Sequence, residues 1–300
     1  MVSPYILLSL CSFFWSLNFI IAKVVVDVIP PITIAFFRWG LPALLFLYYS
    51  WSDIKANRYV YRKHWFLLLL LGCTGYSLSA ITVYEAVQFT STINTSFINA
   101  FNPVLIALTG FLLYRYPVTR GQIAGFLLSL IGVIWILFKG NLILIRDLQA
   151  NIGDIIMIIN ITVWSMYTVL FKQYSPLFPP SSSFAMMMTA GTLVSLPLMV
   201  IENVTIGTAW VNQIEFRHVM GIICLCLFPS VLAYRFWNMA LGKIAANKVA
   251  VFQYLIPVYT VIISLLFLDE QLQQFQIIGG LLIFIGVLLV TQTFAALGKN

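Results

Sequence analysis

The chain has 300 residues, of which 61% are hydrophobic and only 8% are charged, and its formal net charge is +7 at pH 7. This composition is far more apolar than that of a soluble domain, so we expect an integral membrane protein whose surroundings are a lipid bilayer. The basic residues fall in short loops between apolar runs instead of along one face, which argues against a nucleic-acid partner.

Apolar runs recur along the chain, each close to the roughly 20 residues that a helix needs to cross a bilayer. The first run is not expected to be a cleaved signal, because no basic segment precedes it and no small-residue cleavage site closes it. Cysteines occur only within the runs, where we expect them to be small packing residues. We predict an all-α integral membrane protein with ten transmembrane helices, near residues 5–26, 32–50, 65–86, 92–114, 120–138, 153–171, 183–201, 218–240, 247–268 and 274–296.

The loops between these runs differ in positive charge. If the N-terminus is cytoplasmic, ten Lys and Arg residues fall in inside loops and four fall in outside loops. Cytoplasmic loops of membrane proteins carry the excess of Lys and Arg. The sequence therefore predicts a multi-pass protein of the cell membrane with both termini in the cytoplasm.

Two parts of the sequence occur twice. Residues 15–31 read WSLNFIIAKVVVDVIPP and residues 164–180 read WSMYTVLFKQYSPLFPP, at an offset of 149. Residues 103–133 match residues 257–287 at an offset of 154, with 11 identities in 31 positions. Each half then holds five helices, an odd number, so the second half enters the membrane from the opposite side. We predict two inverted five-helix repeats, 1–148 and 149–300, with a solute site where they meet.

Paired glycines stand out in the second repeated segment. Gly125 and Gly132 are seven residues apart, as are Gly279 and Gly286, so each pair lies near one face of its helix. Such faces favour the close approach of a neighbouring backbone. The neighbour could belong to the same chain or to a second copy, which leaves monomer and homodimer open.

Several stretches together resemble the EamA family of the drug/metabolite transporter superfamily, over essentially the whole chain. They are FWSLNFIIAK, FFRWG, the prolines of AFNPV and YLIPV, and the ending LDEQLQQFQIIGGLLIFIGV. The resemblance implies a secondary transporter, commonly an exporter of amino acids or other small metabolites, with a central cavity lined by both halves. It does not fix the substrate, and a drug or a nucleotide-sugar-like metabolite is the alternative solute class. Where the second half has Asp269 and Glu270, the first has Arg115 and Tyr116, so a capping or topological role is expected for the acidic pair.

Large aromatic and polar residues mark the first helix of each half. Trp15 and Asn18 share one helical face, and their counterparts in the second half are Trp164 and Tyr167. These side chains could line a solute cavity, or a buried amide could join packed helices.

A second symmetric pair lies in the fourth and ninth helices. Asn99 and Gln253 each stand four residues before a repeated proline, Pro103 or Pro257, which leaves a backbone carbonyl without its usual donor. The amide could satisfy that carbonyl, or amide and loosened backbone together could contact a solute. Asn102 lies on a nearby face.

Two arginines are predicted inside helices, where each needs a carboxylate, a carbonyl or water. Arg38 and Arg235 could bind a substrate carboxylate through the planar guanidinium, or have a structural or snorkelling role. Tyr234 and Trp237 flank Arg235 and are further candidates for the cavity wall. Glu85 and Asp154 are predicted near the outer surface, unpaired, which leaves proton coupling open.

An integral membrane enzyme is a less favoured class, because no catalytic motif or metal-ligand pattern is present in the sequence. His64 and His218 are predicted on opposite sides of the membrane, and we expect neither a cofactor nor a metal. A channel would need a continuous polar lining. The favoured hypothesis is a transporter that binds a small-molecule substrate and works by alternating access.

Overall fold

The computed structural model describes residues 3–116, 119–141, 143, 150–241 and 252–297, and this part of the chain is helical, without strands. The start of the predicted ninth span, 247–251, lies outside the described residues. The main helices are α1 (Pro4–Val25), α2 (Pro31–Tyr49), α3 (Trp65–Phe89), α4 (Thr92–Asn99), α5 (Asn102–Tyr114), α6 (Arg120–Leu137), α7 (Ile152–Tyr174), α8 (Pro180–Ile206), α9 (Phe216–Trp237), α10 (Phe252–Phe267) and α11 (Gln274–Leu297).

Seven of the described helices are each long and apolar enough to cross a membrane, and the bent pair α4–α5 would make an eighth. Two shorter apolar helices, Phe252–Phe267 and Gln274–Val290, lie within the last two predicted spans. The chain is therefore an integral membrane helical protein. The loop predicted between the second and third spans contains two short helices, Trp51–Ala56 and Arg58–Lys63.

Local sequence explains where several helices begin. Prolines occupy the first turns of α1, α2 and α8, where the missing N–H has no partner to lose. Thr119 and Gln122 form a capping box at α6, and the Asn151 side chain accepts the first N–H groups of α7. The predicted single span 92–114 is instead bent by 41° between α4 and α5, because Pro103 cannot continue the hydrogen-bond ladder.

The paired glycines bring α6 and α11 into backbone contact. A Cβ atom on Gly132 would lie 2.6 Å from the carbonyl oxygen of Gly279, and one on Gly286 would lie 2.6 Å from that of Gly125. Only glycine permits this approach, since every other residue carries a Cβ. The packing interpretation of the glycines is thus confirmed, and the partner helix belongs to the same chain.

Elsewhere, a carboxylate near the end of one helix caps the start of a neighbouring helix. Glu202, at the end of α8, accepts hydrogen bonds from the backbone N–H groups of Ile32 (2.9 Å) and Thr33 (2.8 Å) at the start of α2. Its carboxylate also accepts from the hydroxyl of Thr33 at 2.8 Å. A negative charge at a helix N-terminus is favourable because the free N–H groups and the helix dipole point towards it.

The opposite end of the α2–α8 pair has a counterpart contact. Asp53, just after α2, accepts hydrogen bonds from the hydroxyls of Ser181 and Ser182 at the start of α8. These hydrogen bonds, Ser182 first, lower the pKa of Asp53 below its usual value. Asp53 and Glu202 are 149 residues apart, as are Thr33 and Ser182, which is the offset of the repeated sequence.

The same end of the molecule as Glu202 carries two more polar links. Glu270 accepts from the backbone N–H groups of Thr92 and Ile93 at 2.8 and 3.1 Å, so the capping role expected of the acidic pair is confirmed for this residue. Asp154 lies at the start of α7 as expected, but it is fully buried. Its carboxylate accepts from Thr90 Oγ1 at 2.5 Å and from Asn94 Nδ2 at 3.1 Å.

Candidate substrate-binding site

A cavity opens midway along α1 and α7, where the break between α4 and α5 meets the first turn of α10. The volume of this cavity is about 120 Å³, which is room for several water molecules or a small organic solute. Eight of the ten residues predicted for a substrate site line this cavity: Trp15, Asn18, Arg38, Asn99, Asn102, Trp164, Tyr234 and Gln253.

The other two predicted residues lie directly behind the lining. The ring of Tyr167 packs on that of Trp164, with centroids 5.2 Å apart, and its hydroxyl is 3.3 Å from the hydroxyl of Tyr76. The ring of Trp237 packs on that of Trp15 at 5.2 Å. Both therefore support lining residues instead of facing the cavity themselves.

Arg38 provides the positive charge of the cavity. Its side chain is only 7% exposed, and its Nε and Nη1 atoms donate to Ser230 Oγ at 3.0 Å and to the hydroxyl of Tyr84 at 2.8 Å. The guanidinium carbon lies 5.0 Å from the ring centroid of Trp39, a cation–π distance. The hydroxyl of Tyr84 donates in turn to Asn18 Oδ1 at 3.3 Å, so Arg38 and Asn18 belong to one network.

The break between α4 and α5 places amide groups at the cavity wall. Asn102 is buried, and its Oδ1 atom accepts no hydrogen bond from the described residues. Within the same part of the chain, the amides of Asn99 and Gln253 also make no hydrogen bond, although both line the cavity. The proposed bond from these amides to the carbonyls freed by Pro103 and Pro257 is therefore not formed, and their polar groups are available to a solute.

Aromatic rings form the apolar part of the wall. Tyr234 packs edge-on against Trp15 and Trp39, with centroids 6.1 and 5.9 Å apart. Its neighbour Arg235 is exposed and is not among the residues that line the cavity, so the structure does not support the substrate-contact alternative for Arg235. Adjacent helical residues point about 100° apart, so the helix can turn Tyr234 towards the cavity and Arg235 away from it.

Sequence reasoning missed further lining residues, among them Trp39 and Asn160. Asn160 lies four residues before Trp164 on the same face of α7, and this spacing is the signal that could have identified it. Its Nδ2 atom donates to the carbonyl of Ser79 at 2.5 Å and to Thr82 Oγ1 at 2.9 Å, which fixes α7 against α3.

Neither a metal site nor a paired histidine site is formed by the described residues. No group of three or more His, Cys, Asp or Glu side chains is close enough there to hold a metal ion. His218 Nδ1 accepts from the backbone N–H of Glu215 at 2.9 Å, which gives this histidine a capping role at the start of α9.

Comparison with known proteins identifies a family, named relatives and a similar fold. A family model described as the EamA-like transporter family matches residues 2–138 and 151–292. The uncharacterized transporter YyaM of Bacillus subtilis (strain 168) is 29% identical over 95% of this chain and 92% of its own length. A probable amino-acid metabolite efflux pump of Escherichia coli (strain K12) is 23% identical over 91% of this chain and 89% of its own. A crystal structure with a TM-score of 0.64 and 15% identity covers 97% of this chain and 98% of its own, and shows a shared fold.

Proposed function

The chain belongs to the EamA-like transporter family, and from this we propose that it exports a small organic solute, such as an amino acid, across the cell membrane by alternating access. A relative is named as a probable amino-acid metabolite efflux pump, which supports this solute class at 23% identity. The observation that carries the proposal is the cavity, whose wall combines a buried cation, amides without a hydrogen-bond partner among the described residues, and aromatic rings.

The proposed architecture is ten transmembrane helices in two inverted repeats, 1–148 and 149–300. The two ranges matched by the family model support the division. The reciprocal glycine contacts of α6 and α11 and the counterpart contacts of Asp53 and Glu202 support a two-fold relation between the halves. In this arrangement the cavity lies where the halves meet, as alternating access requires.

Polar links at one end of the bundle suggest which side is closed. The α2–α8 pair is bonded at both ends, whereas Glu270 and Gln276 of the proposed second half bond residues near the start of α4 in the first half at the outer end only. In the proposed topology, with both termini cytoplasmic, this end faces outwards. A solute would then enter the cavity from the cytoplasm and leave when the outer links separate.

Efflux from liposomes that contain the purified protein tests the proposal. A panel of solutes, amino acids first, is assayed with and without a pH gradient, which also decides whether protons are coupled. Asn99→Ala and Gln253→Ala should lower the transport rate while the protein stays folded, because they remove amides from the cavity wall. Gln88→Ala, which removes an exposed amide outside the cavity, is the matched control. Wild-type rates in both cavity variants would reject the site, and flux without saturation would favour a channel.

A further inference from the structure

We infer that the transported solute carries a carboxylate, and that Arg38 binds it. This inference rests on the proposed transport function and names the chemical class of the solute. It predicts that solutes with a carboxylate bind in the cavity, whereas neutral amides and amines of the same shape do not.

The first argument is the uncompensated charge of Arg38. Among the described residues, no carboxylate lies within 4 Å of its guanidinium, and its hydrogen-bond partners Ser230 and Tyr84 are neutral. A charge at membrane depth is costly unless an opposite charge, carbonyls or water compensate it. The hydroxyls and the Trp39 ring supply only part of this compensation, and a solute anion would supply the rest.

The second argument is the geometry of the free donors. A guanidinium has five N–H groups, and two of those on Arg38 are used by Ser230 and Tyr84. Three are left for the cavity that Arg38 lines, and a bidentate carboxylate needs two. The indole Nε1 of Trp39 is also buried without a partner among the described residues, next to Arg38 in the cavity wall.

The third argument is the composition of the rest of the wall. No Asp or Glu is among the described residues that line the cavity, so these residues offer no counter-ion to a cationic solute. The rings of Trp15, Trp164 and Tyr234 suit an apolar body, and the partly exposed amides of Asn99 and Gln253 can bond a polar group of the solute. The wall thus matches a small carboxylate with an apolar body, with or without an amino group.

Binding of a matched series to the purified full-length protein in nanodiscs tests the inference. The probes are 3-phenylpropionate, 3-phenylpropionamide and 2-phenylethylamine, and the readout is the fluorescence of the cavity tryptophans, checked by calorimetry. We expect saturable binding of the carboxylate, at least about tenfold tighter than that of the amide or the amine, as for a charge-assisted hydrogen bond. Equal or tighter binding of the amide or amine, or no saturable binding of the carboxylate, would overturn the inference.

Variants at Arg38 locate the anion. Arg38→Gln should weaken carboxylate binding about 10- to 100-fold and remove the preference over the amide. Arg38→Lys should keep the preference at reduced affinity, because it retains the charge without the planar fork. Arg235→Gln, an exposed position on α9, should match the wild type. If Arg38→Gln does not fold, binding of the probe series to the wild type and to Arg38→Lys still tests whether Arg38 binds the carboxylate.

Binding and transport can fail separately. Carboxylate-selective binding without efflux from liposomes would support the inference and count against the transport proposal. Efflux only of solutes without a carboxylate would leave transport standing and overturn the role of Arg38.

Discussion

Replacing Gly132 by alanine should force α6 and α11 apart. The new Cβ atom would lie 2.6 Å from the carbonyl oxygen of Gly279, whereas an ordinary contact is at least 3.4 Å, so the helices must separate locally by about 0.8 Å. The neighbouring atom belongs to the backbone and cannot rotate away. Overpacking costs about 1–3 kcal/mol, and the better helix propensity of alanine returns up to about 1 kcal/mol. Because the clash is with rigid backbone, we expect a net loss of about 1–2 kcal/mol in the free energy of unfolding.

Thermal unfolding of the purified variant in nanodiscs measures this loss. Leu127→Ala is the control, since Leu127 lies on the same helix but is 58% exposed and faces away from the glycine contact. Gly132→Leu should be less stable than Gly132→Ala, because a larger side chain separates the backbones further. A Gly132→Ala protein as stable as the wild type would refute the close approach of α6 and α11.

Glu202→Gln should lower the free energy of unfolding by about 1 kcal/mol, because the carboxylate caps the first N–H groups of α2. The same measurement on Glu85→Gln is the control, because within the described part of the chain this carboxylate is bonded only by the exposed Gln88, and equal stability of the two variants would contradict the capping role. Val211→Cys should react with a membrane-impermeant maleimide on intact cells, because the 209–213 turn is outside in the proposed topology. Labelling only after the membrane is permeabilised would reverse that topology.

The sequence predicts helix positions well where an apolar run is long and ends at a proline or a polar loop. The predicted span 5–26 corresponds to α1, Pro4–Val25, and the predicted span 32–50 corresponds to α2, Pro31–Tyr49. It did not predict the π-helical turns at Cys73–Leu78 and Cys226–Leu232, because a one-residue shift of the backbone hydrogen bonds leaves no hydrophobic pattern.

Residues that line the cavity were predictable where periodicity or repetition marked them. Asn99 and Gln253 were found through their position before repeated prolines, and both line the cavity. Whether Arg235 faces the cavity could not be predicted, because the side of a helix that faces the interior depends on which helices surround it. The contact between Asp53 and Ser182 joins residues 129 apart, and neither residue carries a local sign of its partner.

Both ends of the α2–α8 pair are fastened, one by Glu202 and the other by Asp53. Two antiparallel helices held at both ends cannot splay at either, so they should behave as a single rigid rod. If the protein opens alternately to the two sides, the α2–α8 pair should stay fixed, and other helices must move. α4 and α5 are suited to such a movement, because the bend between them already divides one span into two shorter helices.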